Sequence, residues 1–168
     1  GHEKNVLKGM EQTIKNNSIL LQIEIFIENY QTINENLIKM GFNLITKLPE
    51  IPINCGNIAK WVEDHVQGSI IRLGVKSLAG LLLHRPLQLL ESWREELWSA
   101  LLQLKGDGIV EKVGFSIYDP NELDMLWNIY KPDLVQSPYN IIDRRLATSG
   151  WLQRMSEAGV EVHVRSVF

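Results

Sequence analysis

The sequence contains very little cysteine, no long apolar run and no basic cluster. Its 168 residues include one cysteine, Cys55, which cannot form a disulfide within the chain, and no His/Cys spacing suggests a zinc site. No apolar segment approaches the roughly 18 residues that cross a bilayer, and no secretory signal opens the chain. The net charge is −3, and the longest basic run is Arg144-Arg145. We therefore expect a cytoplasmic protein with no metal, membrane or nucleic-acid partner.

Apolar β-prone segments alternate with helical periodicity along the chain. The pattern predicts strands over 18–26, 43–47, 77–83, 111–116, 133–137 and 160–166. It predicts helices over 4–15, 28–40, 57–73, 91–105 and 146–158, and another after Asp119-Pro120. Strands joined through helices by short loops indicate a parallel sheet with right-handed crossovers, which is an α/β fold.

Two titratable side chains lie where predicted strands end. The segment "GLLLHRPLQLL" (80–90) carries a buried strand directly into His84-Arg85-Pro86, and "NLITK" ends in Lys47. In parallel sheets, active sites lie at the carboxyl ends of the strands. From the residues alone, however, a solvated lysine and a turn histidine are the commoner interpretations.

From about residue 43 to 168, the chain resembles the middle of an aldo-keto reductase. The segments that carry the resemblance, in family order, are "ITKLPEIP", "RLGVKSLAGLLLHRP", "LKGDGIVEKVGFSIYDPNELD", "PDLVQSPYNIIDRR" and "GWLQRMSEAGVEVHVRSVF". The resemblance implies a partial (β/α)8 barrel that contains approximately the third to the seventh strand.

Residues 1–42 are predicted to form a separate αβα segment. Their sequence "GHEKNVLKGMEQTIKNNSILLQIEIF" resembles the C-terminal part of an FkbM-type methyltransferase that depends on S-adenosylmethionine. This resemblance implies S-adenosylmethionine as a cofactor only if a further N-terminal domain exists. The strand at 18–26 could then lie beside the strand at 43–47 and extend the sheet to six strands.

The aldo-keto reductase resemblance implies reduction of small-molecule carbonyl compounds with NADPH, using an Asp, Tyr, Lys and His. By this resemblance Lys47 is the catalytic lysine and His84 orients the carbonyl group. The Asp and Tyr have no match, because position 25 holds Ile and Tyr30 is followed by Gln31. Without a proton donor we expect turnover to fall by orders of magnitude.

The cofactor residues that the resemblance implies are incomplete as well. Ser116 and Gln136 match residues that hold the nicotinamide carboxamide, and Ser166 matches a serine near the pyrophosphate. Ile117 replaces an Asn, and Arg165 stands where many members carry the aromatic residue that stacks on nicotinamide. Strand-end capping (Ser116, Ser166) and an internal hydrogen bond (Gln136) are the structural alternatives. We expect NADP to bind weakly or not at all.

Three functional hypotheses follow. The chain is an NADPH-dependent oxidoreductase fragment, incomplete or inactive; or it is linked to a methyltransferase; or it is a non-catalytic fusion that self-associates through open strand edges. The Asp143-Arg144-Arg145 segment fits either an anionic-substrate clamp or a loop ion pair, which is commoner.

Overall fold

Within residues 30–167, which the computed structural model describes, five parallel strands form one sheet. The strands follow each other in chain order as β1 (Ile45–Leu48), β2 (Gly80–Leu83), β3 (Val113–Ser116), β4 (Leu134–Pro138) and β5 (Glu161–Arg165). At least one helix separates each strand from the next. This arrangement is the repeating (β/α) unit of a barrel, so the predicted α/β fold with a partial (β/α)8 barrel is confirmed.

The helices lie close to the positions that apolar periodicity predicts. They are α1 (Tyr30–Lys39), α2 (Ile58–Leu73), α3 (Arg94–Gly106), α4 (Asn121–Leu126), α5 (Arg145–Thr148) and α6 (Trp151–Glu157), with a 3-10 helix over Pro86–Leu90. At the start of α2, the Asn57 side chain accepts a hydrogen bond from the Lys60 amide. At its end, Gly74 adopts the left-handed conformation that closes the last turn.

One local prediction differs from the structure. The single helix predicted over 146–158 is two helices, because Gly150 adopts φ +81° and interrupts the helical hydrogen bonding between α5 and α6. The segment after Arg85 is a 3-10 helix that begins at Pro86, where the ring presets the helical φ. The predicted elements at 4–15 and 18–26, and hence the sixth strand, lie outside the described residues.

The strand register divides the sheet into an apolar face and a more polar one. Side chains alternate along each strand, so paired residues share a face. The helix-covered face carries the core residues Leu81, Leu83, Val113, Phe115, Ile117 and Val135, packed with helix residues such as Val62 and Leu97. The opposite face carries Lys47, Leu82, Gly114, Leu134 and Glu161 in one paired row, followed by Ser116, Gln136 and His163 in the next.

Strands β3 and β4 approach so closely that one position accepts only glycine. A Cβ atom at Gly114 would lie 1.8 Å from the carbonyl oxygen of Leu134 and 2.8 Å from its carbonyl carbon. Both atoms belong to the backbone of the paired strand, so they cannot move without disturbing the sheet. Gly114 therefore sets the spacing between the two strands that carry Ser116 and Gln136.

We expect Gly114→Ala to lower the free energy of unfolding by about 3 kcal/mol or more, because the added methyl group overpacks against backbone. Urea denaturation followed by circular dichroism measures the change. Gly106→Ala is the matched control, since nothing lies within 4 Å of a Cβ at that helical position. If the Gly114→Ala variant proved as stable as the Gly106→Ala variant, this account of the β3–β4 spacing would be contradicted.

Candidate active site

The two predicted catalytic residues lie on one face at the carboxyl ends of neighbouring strands. Lys47 is the third residue of β1 and pairs with Leu82, two positions before His84. His84 directly follows β2, and its amide donates a hydrogen bond to the carbonyl oxygen of Leu48 at 3.1 Å. The extended backbone thus presents both side chains on the same side of the sheet, close enough for the Lys47 charge to act on the imidazole.

Tyr118 joins His84 at this edge. It lies two residues beyond the end of β3, and its hydroxyl is 3.3 Å from His84 Nε2. The two rings meet edge to face with centroids 6.2 Å apart, and Tyr118 stays 44% exposed. Tyr118 was not among the residues predicted from the sequence. Its position two residues after Ser116, on the same strand extension, was the available signal.

Two guanidinium groups flank the Tyr118 ring. The Cζ atom of Arg165 lies 4.3 Å from the ring centroid, and that of Arg85 lies 5.4 Å from it. Arg165 also donates through Nη2 to the carbonyl oxygen of Ile117 at 3.0 Å. The carboxyl edge of β2, β3 and β5 therefore carries a compact group of cations around a phenol and an imidazole.

The surroundings keep His84 neutral at neutral pH. Partial burial lowers the pKa of the imidazole below its ordinary value of 6.5, and the positive charges of Lys47, Arg85 and Arg165 lower it further. Glu50 acts in the opposite direction, but its effect is the smallest. A neutral imidazole can donate a hydrogen bond to a carbonyl oxygen, and it adds no further positive charge to the edge.

Ser116 and Gln136, the predicted nicotinamide residues, are brought together. They pair in register on β3 and β4, and Ser116 Oγ lies 3.4 Å from Gln136 Oε1. Both side chains are buried. The neighbouring Ile117 is fully buried and belongs to the helix-covered core, because alternation turns it to the other face.

Ser166 lies apart from that pair, in the segment after β5. Its φ is +55°, which is uncommon for a residue other than glycine, and the residue is exposed. The Ser166 carbonyl oxygen accepts a hydrogen bond from Asn140 Nδ2 at 2.7 Å, which ties this segment to the loop after β4.

The loop arginine Arg145 forms ion pairs instead of an open anion clamp. Its guanidinium bonds to Asp119 at 2.6 Å and to Asp143 at 2.8 Å, and it also donates to the Tyr118 carbonyl oxygen. These bonds hold the pKa of Asp143 below its usual range. The commoner of the two interpretations of this segment, a loop ion pair, is what the structure shows.

The described residues contain no group of three or more His, Cys, Asp or Glu side chains placed to hold a metal ion. Among the helices of residues 30–167, none has the length and apolar character needed to span a membrane.

Comparison with known proteins assigns the chain to one family. The model described as "Aldo/keto reductase family" matches residues 28–168. The chain belongs to the aldo/keto reductase family. The match begins inside the segment 1–42 that the sequence assigns to a separate unit, and the boundary at residue 42 stays a prediction.

Solved aldo-keto reductases share the fold at low sequence identity. An aldo-keto reductase from Bacillus halodurans is 22% identical, with a TM-score of 0.71, over 97% of this chain and 55% of its own. Aldose reductase from Giardia lamblia is 17% identical, with a TM-score of 0.63, over 98% of this chain and 62% of its own. A Klebsiella pneumoniae enzyme in complex with NADP and acetate is 19% identical, with a TM-score of 0.58, over 77% and 44%.

The chain spans about half the length of the solved structures that it matches. A search of curated proteins gives no match. None of the comparisons supports the resemblance to a methyltransferase or the S-adenosylmethionine that it implied.

We expect the His84 imidazole to titrate below pH 6.5, because burial and three cations oppose its protonation. Arg165→Gln should raise the pKa of His84, and Glu50→Gln should lower it. Nuclear magnetic resonance of the ring over a pH titration measures these shifts, with Arg154→Gln on α6 as the control.

The lowered pKa of His84 also makes the stability of the folded chain depend on pH. The unfolded chain binds the His84 proton more readily than the folded chain, so this group costs stability as the pH falls through 6.5 and below. A His84 that titrates above 6.5 would contradict this description of the edge.

Proposed function

We propose that the chain is part of an aldo-keto reductase that reduces carbonyl compounds with NADPH, slowly and with weak cofactor binding. The observation that carries the proposal is the placement of Lys47 and His84 on one face, at the carboxyl ends of neighbouring strands, in a chain of this family. Two structures of aldo-keto reductase from Klebsiella pneumoniae, one in complex with NADP and one with NADPH, support the choice of cofactor.

In this proposal His84 holds the carbonyl oxygen of the substrate. Among the described residues, its Nε2 atom makes a long contact with the Tyr118 hydroxyl, at 3.3 Å, which a carbonyl oxygen could replace. The charge of Lys47 on the same face would stabilise the negative charge that develops on that oxygen. Together they polarise the C=O bond, which is the part of the reaction that these residues can perform.

The residues present fit one end of the nicotinamide cofactor. The Ser116 hydroxyl and the Gln136 amide are neighbours at 3.4 Å, a long contact whose two groups can bond a carboxamide instead of each other. When bound, the reduced nicotinamide would supply the hydride. Ile117 offers no group to it because its side chain is in the core, and Arg165 supplies a cation where many members have an aromatic ring. These two departures support weak binding.

The slow turnover in this proposal follows from the lack of a matching proton donor in the given sequence. No segment upstream of Lys47 matches the Asp and Tyr of the family tetrad, and Tyr30 is the only tyrosine there. General acid catalysis contributes about 10²–10⁴-fold to such reactions. Loss of the acid would therefore leave an enzyme that positions and polarises its substrate but protonates it inefficiently.

Self-association through open strand edges stays a prediction. Within the described residues, β1 and β5 each pair with a strand on one side only. The unpaired backbone groups on their other sides would have to be satisfied by another segment, by water or by another chain.

The proposal is tested by NADPH binding, followed by fluorescence, and by reduction of 4-nitrobenzaldehyde at high protein concentration. We expect measurable binding and slow reduction. His84→Gln should lower kcat/KM by about 100-fold and change the Kd for NADPH little, because it removes substrate positioning alone.

His65→Gln is the matched control, since His65 stacks on Trp61 in α2 and bonds to the Trp61 carbonyl oxygen. It should change neither quantity. Absence of NADPH binding, or a His84→Gln variant as active as the parent chain, would refute the proposed function.

A further inference from the structure

Arg165 carries a positive charge that no described carboxylate neutralises. Its guanidinium stacks on Tyr118 and donates to the Ile117 carbonyl oxygen, and no acidic side chain of residues 35–167 lies within 4.0 Å of it. Its Nε atom is buried and has no hydrogen-bond partner there. A buried N–H group without a partner is destabilising compared with a hydrogen-bonded one, so the guanidinium group would gain from an additional acceptor oxygen.

The nearby acidic groups do not balance the edge. Asp119 and Asp143 both bind Arg145, so their charge is directed to another cation. Glu50 lies 3.9 Å from Arg85, in an ion pair whose side chains are both more than half exposed, and such pairs are weak. Arg85 and Arg165 both lower the pKa of His84, and Glu50 raises it by less than either of them lowers it. The edge therefore presents an excess of positive charge beside the imidazole.

This excess favours one class of substrate. A neutral aldehyde gains nothing from a guanidinium at the edge, whereas a carboxylate gains charge-assisted hydrogen bonds of fixed geometry. Tyr118 holds the two parts together, because its hydroxyl touches His84 while its ring lies under Arg165. A ligand with a carbonyl group and a carboxylate a few atoms apart could meet His84 and Arg165 at once.

We propose that this edge selects carbonyl compounds that carry a carboxylate, that is, short oxo acids, with Arg165 binding the carboxylate and His84 the carbonyl oxygen. The proposal rests on the proposed function for the reaction, but the binding itself needs no cofactor. Arg165 is thus a specificity-determining residue, and Arg85 adds a charge that lies farther from the Tyr118 ring.

The test compares acids with their neutral amides. Binding of pyruvate, succinic semialdehyde and pyruvamide to the full chain is measured by calorimetry and by the shift of the His84 ring signals, with and without NADP⁺. We expect at least one acid to bind about tenfold or more tightly than pyruvamide, and Arg165→Gln to remove that preference. Arg154→Gln is the matched control, because Arg154 also stacks on aromatic rings but lies on α6.

Each outcome decides the question. If the acids bind no better than the amide, or if Arg165→Gln leaves the preference intact, the proposal is wrong. If NADP⁺ displaces the acids, Arg165 serves the phosphates of the cofactor, and the assignment to substrate is likewise wrong. If Arg165→Gln fails to fold, the parent chain supplies the test, since the preference for acids must shrink in high salt.

Failure of the proposed function gives a different result. Loss of NADPH binding and of carbonyl reduction would remove the reductase assignment while leaving the preference of Arg165 for acids in place. Normal NADPH binding with no preference for acids would leave the reductase assignment and remove this inference.

Discussion

The parallel register of the five strands is the constraint on which the rest of the structure depends. Each pairing fixes which residues lie side by side, and alternation then decides which of them share a face. Because Lys47 pairs with Leu82, it comes onto the same side as His84; because Ser116 pairs with Gln136, their side chains meet. A slip of one residue in any strand would send these groups into the helix-covered core.

The two faces of the sheet divide stability from chemistry. The helix-covered face is apolar and closely packed, with Phe115 and Ile117 fully buried. The other face ends in cations, an imidazole and a phenol at the carboxyl edge, where charge can remain partly solvated. The apolar face supplies the rigidity that positions the polar edge, and the polar edge needs little packing of its own. Ile117 illustrates the division, because strand alternation turns its side chain into the core and away from the site.

Local sequence patterns predicted the elements well and the contacts between them poorly. Apolar periodicity located all five described strands, and the carboxyl-end rule pointed to Lys47 and His84. The break at Gly150 was missed because a glycine within helical periodicity does not show its φ in the sequence. Tyr118 was missed because its importance comes from His84, which lies 34 residues away in the chain. Distances between strands depend on register and twist, and no single segment encodes them.

The glycines of β2 and β3 have unequal freedom to evolve. A Cβ at Gly80 would meet the side chains of Ile45 and Leu134 at 3.3–3.4 Å, and those can be trimmed by substitution. A Cβ at Gly114 would meet backbone, which no substitution removes. Position 80 can therefore acquire a methyl group in a lineage where residue 45 or 134 becomes smaller, whereas position 114 has no compensating partner. In related chains, variation at the first site should accompany changes at its neighbours, and the second should stay glycine.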